Sequence, residues 1–68
     1  MDLKSIRESR GLSQSQLAKA SNVPVRTLQK YEIKELNINN CKAINIYKMA
    51  KVLNCRMEDL IEIDEKDI

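Results

Sequence analysis

The sequence predicts an all-α fold: five short helices in one domain. Three observations carry this. The 68 residues include one Gly, one Pro, and no Phe or Trp, whereas an all-β chain needs more turn residues and more aromatic strand formers. Apolar residues recur at helical spacing through successive segments. The breaks between those segments fall at Gly11, Asn22, Pro24 and Asn54, all residues that end or start helices. A chain this short has room for a single modest core.

The first helix is expected over Leu3–Arg10, capped by Asp2, with Leu3, Ile6 and Arg10 at helical spacing. Gly11 suits the left-handed residue that closes it, and Leu12 follows as an apolar plug. Ser13 with Gln16 has the form of a capping box. The second helix then spans Gln14–Ser21, with Leu17, Ala18 and Ala20 inward. Asn22 can adopt the positive φ that a tight turn needs. Val23 should plug the core, and Pro24 suits the cap or first position of a new helix.

The third helix covers Val25–Glu32. Leu28 and Tyr31 face inward, and Val25, Arg26, Gln29 and Lys30 face outward. Ile33–Cys41 lacks a period and reads as a loop, with Asn39 or Asn40 as cap of the next helix. That fourth helix, Lys42–Leu53, carries Ala43, Ile46, Met49, Ala50 and Leu53 on one stripe. Asn54 ends it. A short fifth helix, Arg56–Glu62, turns Met57, Leu60 and Ile61 inward. Residues 1–63 form the domain, and 64–68 a short acidic tail expected to fray.

Composition narrows the function. No apolar run approaches the ~20 residues of a membrane span. The opening residues are amphipathic and charged, unlike a signal peptide, so the expectation is a cytoplasmic protein. Cys41 and Cys55 form no CxxC pair and there is no His, so no zinc site of ordinary spacing can be built. Two free thiols are expected, with a disulfide as the alternative. Without His the commonest general base is missing, and no nucleophile has a base beside it. The chain is therefore not read as an enzyme, and neither a cofactor nor a small-molecule ligand is implied. Net charge is +2, but residues 1–61 hold eleven Lys/Arg against six Asp/Glu, while residues 62–68 hold one Lys against four acids. A basic body with an acidic end points to a polyanionic partner, or else to charges that only solvate a small domain.

The interruption at Asn22–Pro24 explains itself in these terms. Two short helices at a steep angle form a helix-turn-helix. The second helix can lie across a nucleic-acid backbone while the third enters the major groove. Small Ala18 lets the helices approach, and Val23 and Leu28 tie the turn to the core.

The stretch LKSIRESRGLSQSQLAKASNVPVRTLQKYE, followed by MAKVLNCRMEDLIE, resembles the Cro and phage-repressor (XRE-type) helix-turn-helix family over about residues 3–62. The combination of GLSQ, QLA, a YE closing the third helix and DL downstream carries the likeness. The resemblance implies a compact, lambda-repressor-like five-helix domain that binds double-stranded DNA, usually as a homodimer on a two-fold site. Carried over by position, Val25, Arg26, Gln29 and Lys30 would face bases. Gln14, Pro24, Thr27, Lys34 and Lys42 would approach the DNA backbone, and Arg7 with Glu32 would join the first helix to the end of the third. Asn22 stands where the family usually has a turn glycine. Lys34 stands where it often has another.

Two functions thus compete. One is a small transcriptional regulator, a repressor in the simplest form, reading DNA with the third helix. The other is a protein-interaction module of the same fold, an antitoxin or anti-repressor partner. Its surface would be the apolar set Ile33, Leu36, Ile38 and Ile44, which could equally serve dimerisation.

Overall fold

A computed structural model describes residues 2–62. Its helices are α1 (Leu3–Ser9), α2 (Gln14–Ser21), α3 (Val25–Glu32), α4 (Ala43–Leu53) and α5 (Met57–Leu60), with a single 3-10 turn at Ile38–Asn40. The domain boundary at 63 and the acidic tail 64–68 lie outside the described residues.

The starts of α1 and α2 follow the expected chemistry. The Asp2 carboxylate accepts the Ser5 N–H at 2.9 Å. Ser13 and Gln16 form the reciprocal box, with the Gln16 N–H on Ser13 Oγ at 3.1 Å and the Ser13 N–H on Gln16 Oε1 at 2.8 Å. α2 and α4 end alike. Asn22 (φ 58) and Asn54 (φ 53) take the left-handed conformation. The next N–H then reaches back five residues, from Val23 to the Ala18 carbonyl at 3.1 Å and from Cys55 to the Ala50 carbonyl at 3.0 Å. This closes both helices while Val23 enters the core.

The core gathers Leu3 and Ile6 of α1, Leu17 and Ala18 of α2, Leu28 of α3, Ile46, Met49, Ala50 and Leu53 of α4, and Leu60 of α5. α2 lies at its centre, packed on both α3 and α4. Arg10 ties the first helix to the fourth by donating Nε–H to the Leu53 carbonyl at 2.7 Å.

Several inward assignments change. Ala20 is exposed, because the buried face of α2 turns through Ser21 instead. The Ser21 hydroxyl donates to the Leu17 carbonyl at 2.6 Å, which lets a small polar side chain sit in the core. Ala43 is exposed at the first turn of α4, where the packed stripe has not yet begun. Met57 is largely exposed at the start of α5, and Ile61 and Tyr31 are half-buried. Ile38 moves the other way. The 3-10 turn tucks it into the core, which removes it from the exposed apolar set. Neither Asn39 nor Asn40 caps α4. That position belongs to Lys42, and Asn39 clasps the Glu62 backbone, donating to its carbonyl at 2.7 Å and accepting its N–H at 2.8 Å. Cys41 and Cys55 are both free thiols.

Candidate nucleic-acid interface

The turn at Asn22–Pro24 starts α3 as a separate short helix, packed on α2 and α1. Leu28 is fully buried and fixes its inner face. Around that anchor, Pro24, Arg26, Gln29 and Lys30 are exposed, and Thr27 is half-buried. Val25 departs from the expected outward position. It is half-buried and packs against the core, so only part of its side chain is left for a partner.

α3, α4 and α5 share a feature that α1 and α2 lack. Their caps are Pro24, Lys42 and Arg56, and none of the three makes a side-chain cap hydrogen bond. The reason is chemical: proline, lysine and arginine side chains carry no hydrogen-bond acceptor. By contrast Asp2 and Ser13 cap α1 and α2, while at α5 the Asp59 carboxylate accepts only the N–H of the cap residue Arg56, at 2.9 Å. The first-turn N–H groups of α3 and α4 are thus free of side-chain acceptors, the arrangement that suits an oxyanion such as phosphate.

Behind α3 runs a chain of polar contacts. Arg7 donates Nε–H to Glu32 Oε2 at 2.7 Å and Nη2–H to Glu32 Oε1 at 3.0 Å. Its Nη1–H reaches the Leu12 carbonyl at 2.7 Å. The Glu32 hydrogen bonds hold the Arg7 guanidinium above its already high ordinary pKa, against the opposing effect of burial. Glu32 Oε1 also accepts Gln14 Nε2–H at 2.9 Å, and Gln14 Oε1 accepts Gln29 Nε2–H at 3.2 Å. The expected joining of Arg7 to Glu32 is present. The two further links are not visible in the sequence, because the partners lie 18 and 15 positions apart and meet only through the angle of the turn.

Lys34 is placed differently from the other basic residues. Its ammonium pairs with the Glu62 carboxylate and lies 4.0 Å from Asp2. Hydrogen bonding to Glu62 raises its pKa. Its backbone is left-handed, with φ 65. Lys42, at the start of α4, is exposed. Among the described residues no group of three His, Cys, Asp or Glu side chains is arranged to hold a metal ion, and no helix is long and apolar enough to cross a membrane.

A family model described as Helix-turn-helix matches residues 3–60. No curated protein and no solved structure matches the chain. The family match spans α1 through α5 and includes the turn, α3 and the Arg7–Glu32 pair. The chain belongs to the Cro- and repressor-like helix-turn-helix family, a family of DNA-binding regulators.

Proposed function

We propose that the protein binds double-stranded DNA sequence-specifically, with α3 in the major groove, and represses transcription by occupying its operator. The observation that carries this reading is the outer face of α3. Arg26, Gln29 and Lys30 stand exposed on a helix whose opposite side is pinned by Leu28. Arg26 is in the first turn, where a guanidinium can donate to O6 and N7 of a guanine. Val25 keeps a partly exposed methyl surface for a base edge. Pro24, Thr27, Gln14 and Lys42 supply the backbone approach, helped by the open first turns of α3 and α4. Lys34 joins them only by leaving Glu62. A homodimer on a two-fold site completes the proposal. Ile33, Leu36, Ile44 and Tyr47 are the exposed apolar residues available to its contact, and two copies about one helical turn apart would read a palindrome.

The test begins with selection of bound duplexes from a random library. Titrations on the selected and scrambled duplexes at several salt concentrations follow. Arg26→Ala should lose about 1–3 kcal/mol on the selected duplex and relax preference at one base pair per half-site, changing non-specific affinity less. Equal losses on both duplexes would make Arg26 a backbone contact. Absence of any salt-dependent duplex binding would reject the DNA reading in favour of a protein-interaction module.

A further inference from the structure

We propose that Gln14 is a positioning residue that fixes the amide orientation of Gln29 and so makes position 29 select adenine over guanine. The inference rests on the DNA-binding reading above and deepens it.

The argument starts at Glu32. A carboxylate only accepts hydrogen bonds, and Glu32 is held in place by two bonds from Arg7. The Gln14 atom 2.9 Å from Glu32 Oε1 must therefore be the amide nitrogen. The other end of that amide, facing Gln29, is then its oxygen. The Gln29 atom 3.2 Å from it must in turn be a nitrogen. Each step follows from donor and acceptor chemistry, so the orientation of both amides is set by the charge of one buried side chain. An unrestrained glutamine has no such preference and presents either end of its amide with equal ease.

The consequence falls on the base edge. With one Nε2–H engaged by Gln14, Gln29 has one N–H and its Oε1 left, a donor beside an acceptor. Adenine offers the complement in the major groove, an N7 acceptor beside an N6 donor. Guanine offers two acceptors, N7 and O6. A free glutamine could turn both N–H groups towards that pair. The restrained one has only one to give and would set its carbonyl oxygen against O6. The Arg7–Glu32 pair, which looks purely structural, thereby acts on specificity through Gln14.

The experiment compares wild type, Gln14→Ala and Gln29→Ala by selection from a random duplex library, followed by titration on duplexes with A or G at the base pair that Gln29→Ala affects. Gln14→Ala removes neither of the Arg7–Glu32 bonds, and a thermal melt of the variant checks that it folds. The expected result is a wild-type preference for adenine of roughly tenfold or more at that pair. Gln14→Ala should reduce the A-to-G ratio towards unity there, at the same pair as Gln29→Ala, and the double variant should show no further loss. Four results would overturn the proposal: no change in any base preference on Gln29→Ala, a wild-type preference for guanine at the affected pair, a uniform affinity loss on Gln14→Ala with the ratio unchanged, or a changed preference at a different pair. In each of these the protein still selects a sequence, so the DNA-binding reading survives. If wild type selects no sequence at all, that reading fails and the inference with it.

Discussion

Removing Glu32 tests how much of the fold hangs on one ion pair. The Arg7 and Glu32 side chains are 9% and 1% exposed, so solvent screening is weak. Glu32 accepts from Arg7 at 2.7 and 3.0 Å and from Gln14 at 2.9 Å. Glu32→Ala would leave the guanidinium buried with only the Leu12 carbonyl, at 2.7 Å, as partner. Stranding one member of a buried pair costs about 3–5 kcal/mol. A domain of this size has roughly 3–10 kcal/mol of stability in total. Glu32→Ala should therefore lose about a third or more of that stability and melt at a much lower urea concentration. The converse change is less severe. Arg7→Met with Glu32→Leu removes both charges, and apolar replacement of a buried pair is often neutral or better. Here it leaves the Leu12 carbonyl and Gln14 short of partners, at about 1–3 kcal/mol each where water cannot replace them. The double variant should thus recover part of the loss. Urea melts followed by far-ultraviolet circular dichroism, on Glu32→Ala and on the cycle of Arg7→Met, Glu32→Leu and their double variant, measure this directly. The reasoning is refuted if Glu32→Ala costs under about 1 kcal/mol or if the coupling is near zero.

Three further outcomes are expected. Asn22→Gly should be close to neutral, whereas Asn22→Val should cost about 1–2 kcal/mol because a β-branched residue resists positive φ; equal urea midpoints would contradict the turn. Lys34→Gly should be more stable than Lys34→Ala by about 1 kcal/mol, since both lose the exposed pair with Glu62 but only glycine relieves the left-handed backbone; the same melts decide it. Lys42→Ser should stabilise the free protein by about 0.5–1 kcal/mol relative to Lys42→Ala, by capping α4, yet bind all duplexes more weakly than Lys42→Ala. Equal binding by the two variants would show that the open first turn of α4 does not meet phosphate.

The helices were legible because their signals are local. Asp2, the Ser13–Gln16 box, Gly11, Asn22 and Asn54 each act within a few residues, and each sits where the sequence places it. The buried stripes of α2 and α4 were readable in their middles, at Leu17, Ala18, Ile46, Met49, Ala50 and Leu53, and failed near their ends, at Ala20 and Ala43. Periodicity gives a direction for a side chain but not whether a neighbour covers it. Ile38 was misplaced for a related reason, since a three-residue 3-10 turn is too short to show a period. At the site, the outward set of α3 was legible except for Val25. The Gln14–Gln29 link was not, because nothing in the spacing of two glutamines says that the turn will bring them together.

Two of the three uncapped helix starts, those of α3 and α4, are the ones proposed to act on DNA. α1 and α2 have side-chain acceptors for a first-turn N–H group, while at α5 the Asp59 carboxylate meets only the N–H of the cap residue Arg56. α3 and α4, whose starts are the two proposed to meet the DNA backbone, have residues there that cannot accept. An internal cap is typically worth about 1 kcal/mol, which is a sizeable share of the stability available to a small domain. A fold selected for stability alone would favour Ser, Asp or Asn at positions 24 and 42. Pro24 instead presets the backbone of the turn into α3, and Lys42 sets a cation beside the open N–H groups of α4. The fixed φ of Pro24 offsets part of the missing acceptor in the free protein, whereas a cation at the start of α4 does not. Both residues make sense if the missing acceptors are phosphate oxygens, so that the first turns of α3 and α4 are completed only on DNA. The same partition runs through the side chains. Arg7, Glu32 and Gln14 satisfy one another inside the protein, while Arg26, Lys30 and the outer edge of Gln29 are presented at the surface. On the proposed reading the inner network fixes positions and the outer groups meet the base edge, the division of labour that such recognition demands.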